Sequence, residues 1–167
     1  MDLFTIVTAR ADYELGALVI IDQTQLPERE VYLALKTPKE IWEAIYLLKV
    51  RGAPAIGVAA AYGISVCMQK VDEVGDFYRE FARVKNYLAS SRPTAVNLFT
   101  ALERMEVALL KCQGAGVEVL KQVLREEAEA IRKEDAAACR KIGEHGLSLL
   151  KPSMGLLTHC NAGHLAV

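Results

Sequence analysis

Residues 51–69, Arg51-Gly52-Ala53-Pro54-Ala55-Ile56-Gly57-Val58-Ala59-Ala60-Ala61-Tyr62-Gly63-Ile64-Ser65-Val66-Cys67-Met68-Gln69, decide the architecture of this chain. After Arg51 the stretch carries no charge until Lys70, and Ala53, Gly57, Ala61 and Ser65 recur at intervals of four. Residues four apart share a helix face, so they form a ridge of small side chains that another backbone can approach closely. The remaining faces are apolar as well, and a helix apolar all round is a buried one. The spacing therefore predicts a central helix that the rest of the chain must cover.

The flanking segments supply that cover. Upstream, Thr37-Pro38-Lys39-Glu40 reads as N-cap, first helical position and acidic first turn, and Ile41, Ala44, Ile45 and Leu48 mark one apolar face. Downstream, Phe77, Phe81, Val84 and Leu88 predict a helix over 76–89, and Pro93 opens another that runs to about Lys111. Gly114 and Gly116 punctuate. A long helix then carries Val117, Leu120, Leu124, Ala128, Ile131, Ala138 and Ile142 on one stripe, with Arg125–Glu129 and Glu129–Lys133 as (i, i+4) pairs on its wet side. Asp135 falls on that stripe, either as a satisfied buried carboxylate or on its shoulder, and His145 sits where the C-terminal dipole favours it.

At both ends the pattern changes to strands. Residues 1–34 read as short strands, including the apolar run Ala17-Leu18-Val19-Ile20-Ile21 and the alternating Glu30-Val31-Tyr32-Leu33-Ala34. Lys151-Pro152-Ser153 is a break, after which Gly155-Leu156-Leu157-Thr158-His159 predicts a short buried strand and Cys160-Asn161-Ala162-Gly163 the turn after it. Strands need lateral partners. This one either joins the N-terminal strands or is the first strand of a second domain; the boundary expected on the second reading separates residues 1–152 from 153–167.

Composition narrows the function classes. The 167 residues hold 20 Lys+Arg against 21 Asp+Glu, a formal charge of −1, which is no footprint for nucleic acid or an anionic membrane. With 52% hydrophobic and 25% charged residues the chain is not disordered. No apolar run is long enough to span a bilayer, and Met1-Asp2-Leu3-Phe4 does not open a signal peptide, so a soluble, cytoplasmic protein is expected. Cys67, Cys112, Cys139 and Cys160 form no CxxC pair, which suits reduced thiols.

Two places share one design. In Arg51-Gly52-Ala53-Pro54 and in Ser91-Arg92-Pro93-Thr94, an arginine stands just before a proline-started helix. Unpaired N–H groups and the positive dipole end favour an anion there, and a guanidinium adds charge and a forked donor. Gly52 lets a ligand approach the backbone without a side chain in the way. Either arginine alone reads as an ordinary loop residue; the pair raises the phosphate reading. No GxxxxGK is present, so a nucleotide-binding P-loop is not supported. Cys160 sits at the carboxyl end of the expected strand, where open α/β sheets place their ligands. It is either a buried structural thiol or, if a helix follows, a thiol with a lowered pKa. His159 points to the opposite face of such a strand, and His159, Cys160 and His164 lack a metal-ligand spacing.

Val50-Arg51-Gly52-Ala53-Pro54-Ala55-Ile56-Gly57, Arg92-Pro93-Thr94-Ala95-Val96-Asn97-Leu98 and Leu157-Thr158-His159-Cys160-Asn161-Ala162-Gly163, with Ile21-Asp22-Gln23 and Leu26-Pro27 near the start, carry a resemblance. Together they resemble the family of methylthioribose-1-phosphate isomerases, which also holds the regulatory subunits of translation initiation factor 2B. The resemblance implies a mostly α fold: a small N-terminal β element and a helical domain, ending in the first strand of a truncated Rossmann-like α/β domain. It covers roughly the first half of the family's length. By it, Arg51, Gly52, Ala53 and Arg92 would bind substrate, and Cys160 would be one of two catalytic residues, the other an aspartate in the second half. The implied substrate is a small phosphorylated sugar, S-methyl-5-thioribose 1-phosphate, converted from aldose to ketose in methionine salvage. No cofactor or metal is implied, and a homodimer is expected for the full-length form. His164 departs from the small residue of many relatives, which leaves the sugar's 5-substituent open: 5-deoxyribose 1-phosphate and ribose 1,5-bisphosphate are alternatives. A non-catalytic regulatory subunit is the non-enzyme alternative, and a remnant or helical interaction module a third. The short chain alone is expected to be inactive.

Overall fold

The computed structural model describes residues 6–159 and 163–166. Among them, strands β1 (Ala9–Asp12), β2 (Ala17–Ile21) and β3 (Tyr32–Leu35) come first. Helices α1 (Pro38–Tyr46), α2 (Ala53–Met68), α3 (Val74–Ala89), α4 (Val96–Leu110) and α5 (Val117–Leu147) follow, and a 3-10 turn (His164–Ala166) comes last. The strands form an antiparallel meander in the order β1-β2-β3, with Ala9 opposite Ile20 and Leu18 opposite Leu35. β2 is buried along its whole length: it is paired on both edges and packs on α2.

α2 is the axis of the molecule. Every residue from Ala55 to Met68 is buried, and the sheet, α1, α3, α4 and α5 all pack on it. Its small-residue ridge does what the spacing predicts. A Cβ on Gly57 would lie 2.8 Å from the Asn97 carbonyl oxygen, so the first turn of α4 rests directly on the α2 backbone. Further along the ridge, Ser65 Oγ is 3.0 Å from the Tyr13 hydroxyl.

α1 begins as expected, with a capping box in which Thr37 Oγ1 accepts from Glu40 N–H and the Glu40 carboxylate accepts from Thr37 N–H. Its end is different. Leu48, expected on the apolar face, lies beyond the helix at φ 58° and is exposed. Lys49 N–H donates to Ala44 O at 2.9 Å and Leu48 N–H to Ile45 O at 3.2 Å, a Schellman closure with leucine at the left-handed position that glycine usually takes.

Four further expectations are corrected. Pro93 does not start α4: Ala95 N–H donates to Arg92 O at 3.0 Å, making Pro93 the second residue of a β-turn, for which its fixed φ is equally suited. Arg125 does not pair with Glu129; its Nε donates to Gln69 Oε1 at 2.9 Å and its guanidinium lies 4.6 Å over the Tyr13 ring. Glu129 meets Lys133 at 3.7 Å, as the spacing predicts. The apolar stripe of α5 is buried at Leu120, Leu124, Ala128 and Ile131, but Ala138 is exposed and Ile142 is 71% exposed. Residues 154–159 form no strand, and Leu157 is 99% exposed. An apolar run holds an extended pairing only where a neighbouring strand takes its N–H and C=O groups, and no described strand lies beside it.

Candidate anion site at the start of the central helix

Gly52 is the N-cap of α2, at φ 103° and ψ 130°, and no side chain caps the helix. The first N–H groups of a helix have no intrahelical partner. Here they open beside Arg51 and Ala53, both exposed, with Pro54 fixing the first turn. The result is a partial positive charge beside a full one, which is what an oxyanion requires.

Glycine is required at position 52 for a reason the sequence did not reveal. Its positive φ strains any L side chain, and a Cβ would lie 2.7 Å from the Ala166 Cα and 2.8 Å from its carbonyl oxygen. The space expected for a ligand on that side is thus occupied by the His164–Ala166 turn; Arg51 and Ala53 present the open side. The turn is held there by hydrogen bonds. Thr8 Oγ1 donates to His164 O at 3.3 Å, and Gln23 Nε2 donates to Leu165 O at 3.0 Å.

The second motif arginine, Arg92, precedes α4, whose opening turn packs on α2. It is half-buried at the head of the turn that leads into α4. Because Asn97 sits on Gly57, the opening turns of α4 and α2 are in contact. A cleft of about 250 Å³ beside that contact is lined by Pro54, Gly57, Asn97, Thr100, Arg104 and Asp135, among others. A second cleft, about 270 Å³, lies on the β1 side and is lined by Thr8, Ala55, Val58, Arg132, Asp135 and His164, among others. Asp135 faces both, on the shoulder of the α5 stripe, and burial pushes its carboxyl pKa up. His164 lines the cleft on the β1 side, beside the first turn of α2.

The α5 wall of these clefts is pinned by charge. Arg104 reaches Glu127 at 2.7 Å and Glu134 at 2.6 Å, joining α4 to α5. The Tyr62 hydroxyl donates to Glu129, which also accepts from Arg132 at 2.7 Å. The Arg132 guanidinium, assisted by that hydroxyl, holds the Glu129 carboxyl at about 2. Burial in the core pushes the Cys67 thiol up to about 11, which makes it an inert filler. Among the described residues no group of three His, Cys, Asp or Glu side chains could hold a metal ion. Cys160, with Asn161 and Ala162, lies outside the described residues. Gln23, quoted above only as part of a motif, is the residue whose role sequence reasoning missed; its one visible signal is a polar pair, Asp22-Gln23, closing a wholly apolar strand.

Comparison with known proteins agrees with this architecture. Residues 49–167 match the model of the Initiation factor 2 subunit family. A methylthioribose-1-phosphate isomerase of Parabacteroides distasonis is 59% identical over 160 residues, covering 95% of this chain and 48% of the relative. A 5-deoxyribose 1-phosphate isomerase of Petrotoga mobilis is 53% identical, covering 97% and 47%. Among solved structures, 5-methylthioribose 1-phosphate isomerase from Pyrococcus horikoshii OT3 superposes with a TM-score of 0.87 at 34% identity, covering 95% of this chain and 44% of that one. The delta subunit of translation initiation factor eIF-2B from A. fulgidus gives 0.85 at 40%, covering 97% and 47%. The chain spans about half the length of the curated relatives it matches. With the motif order, the helical fold and the family match in agreement, this chain belongs to the Initiation factor 2 subunit family.

Proposed function

We propose that this chain is the N-terminal half of an aldose–ketose isomerase that converts S-methyl-5-thioribose 1-phosphate to S-methyl-5-thioribulose 1-phosphate. The observation that carries the reading is the uncapped α2 N-terminus flanked by Arg51 and Gly52, in a chain 59% identical to a methylthioribose-1-phosphate isomerase. The family alone does not separate enzyme from regulatory subunit; the arginine-flanked helix start supports the enzyme.

In this reading Arg51, Gly52, Ala53 and Arg92 hold the C1 phosphate and orient the sugar. The phosphate on C1 locks the ring, so the ring opens before hydrogen moves between C2 and C1. Cys160 handles a proton, with an aspartate of the second half as acid–base partner. Residues 1–152 form the β element and helical unit, and 153–167 begin the Rossmann-like domain. The full-length protein acts as a homodimer in the cytoplasm. A second reading, 5-deoxyribose 1-phosphate as substrate, is favoured by the Petrotoga relative at 53% identity.

The test is an isomerisation assay on the full-length protein with both sugars. Arg51→Ala and Arg92→Ala should each raise KM by the loss of a charge-assisted hydrogen bond, about 1.5–3 kcal/mol. Cys160→Ser should abolish turnover while substrate still binds, and the 167-residue chain alone should be inactive. Unchanged KM in both arginine variants, or normal turnover by Cys160→Ser, refutes the assignment. Binding without turnover by the unmodified protein would favour a regulatory subunit.

A further inference from the structure

We propose that Gln23 is the positioning residue of the Arg51–Ala53 loop, an inference that rests on the anion-site reading above. The residue is 1% exposed and lies two positions beyond the end of β2. Its backbone N–H donates to Lys49 O at 2.8 Å. Its Nε2 donates to Leu165 O at 3.0 Å and, at the outer limit of a hydrogen bond, to Arg51 O at 3.5 Å. One residue therefore ties together the end of the sheet, the loop that carries Arg51, and the His164–Ala166 turn.

The neighbours make this tie consequential. The Arg51 side chain is exposed and makes no ion pair among the described residues, so its position is set through its own backbone. Gly52, with no Cβ, lets the Ala166 backbone close directly on that loop. Remove the Gln23 amide and the turn keeps, among the described side-chain hydrogen bonds, only the one from Thr8 to His164 O. The other end of the amide adds a physical argument. Gln23 Oε1 is buried with no hydrogen-bond partner among the described residues. Burying an unpaired acceptor opposes folding, so the two donated bonds carry the hydrogen bonding of this amide among the described residues.

The amide thus works as a latch: it does not touch the phosphate, but it fixes the loop whose N–H groups and guanidinium do. Looser geometry at a binding loop weakens ground-state and transition-state binding alike, which raises KM and leaves kcat. A merely structural loss would do the opposite, lowering the active fraction and so kcat.

The experiment uses the full-length protein with Gln23→Met, which keeps the shape and removes both donated bonds, and Gln23→Leu as a second variant that also removes them. Expected in both is a KM for the pentose 1-phosphate raised about tenfold, with kcat within about threefold of the parent. Amide hydrogen exchange over 163–166 should accelerate while exchange in the core of α2 stays as in the parent. Unchanged KM and unchanged exchange in either folded variant overturns the proposal, as does a fall in kcat at constant KM. If the parent itself isomerises neither sugar, the functional reading fails separately. Exchange at 163–166 and affinity for inorganic phosphate then decide the latch.

Discussion

Gly57→Ala and Gly63→Ala are the same change made twice in α2, and the structure predicts that they differ, with Gly57→Ala the less stable. In a helix interior alanine is favoured over glycine by about 1 kcal/mol, so propensity alone would stabilise both variants. What each new methyl group meets differs. At Gly63 the nearest atoms are Ile41 Cγ2 at 3.0 Å and Cδ1 at 3.2 Å, a side chain that can give by a few tenths of an ångström. At Gly57 the nearest atom is the Asn97 backbone carbonyl oxygen at 2.8 Å, with Asn97 C at 3.4 Å and Ala101 Cβ at 3.5 Å. Backbone in the first turn of α4 cannot yield without moving the helix, and overpacking of that kind costs about 1–3 kcal/mol. Subtracting the propensity gain leaves Gly57→Ala less stable by about 0–2 kcal/mol. Gly63→Ala should fall within about 1 kcal/mol of the parent, on either side. Urea unfolding with fitted m-values measures both, and at this chain length 1 kcal/mol moves Tm by about 2–4 °C. Under the proposed function Gly57→Ala should also raise KM, since the Asn97 turn it displaces follows closely on the Arg92 turn. A Gly57→Ala protein as stable as Gly63→Ala, or more so, would refute the claim that α4 rests on the α2 backbone.

Other consequences are as direct. Thr37→Ala removes the side-chain half of the α1 capping box and should lower stability by about 1 kcal/mol in the same urea assay. The Glu129 carboxyl, held at about 2 by Arg132 and Tyr62, lies below the range it has in an unfolded chain. The stability it contributes is therefore complete above about pH 4.5 and is lost as pH falls toward 2. Glu129→Gln should flatten that part of the stability–pH curve, and an unchanged acid limb would contradict the assignment. Tyr62→Phe, which removes one of the bonds to the ionised carboxylate, should flatten it less than Glu129→Gln does.

The elements that one helix or one turn can specify were legible. An uncharged helix with small residues at every fourth position has to be buried, and α2 is. Thr37, Pro38 and Glu40 act within one turn, so their pattern needs no tertiary information. The errors arise where two local solutions use the same residues. Pro93 fits the first position of a helix and the second position of a β-turn equally, and the Ala95-to-Arg92 hydrogen bond selects the turn. Leu48 continues the apolar spacing of α1, yet it occupies a left-handed C-cap that sequence patterns reserve for glycine. Arg125 has a carboxylate four residues on, but an amide and an aromatic ring from other elements win it.

The candidate site divides along the same line. Arg51 and Gly52 announce themselves because anion binding at a helix start is local chemistry: charge, flexibility and free N–H groups all fall within a few residues. What holds that loop in place is not local. Gln23 reaches Arg51 across 28 residues of sequence and Leu165 across 142, and nothing in the spacing of either pair marks them as partners. That a side chain had to be kept away at Gly52 could be anticipated, whereas the Ala166 backbone that fills the space could not. Substitutions at Arg51 and at Gln23 should therefore differ in kind. Under the proposed function the first removes a group the anion touches and weakens binding with the loop still in register. The second leaves every contacting group present and weakens binding by letting them move, so only the second should accelerate hydrogen exchange at 163–166.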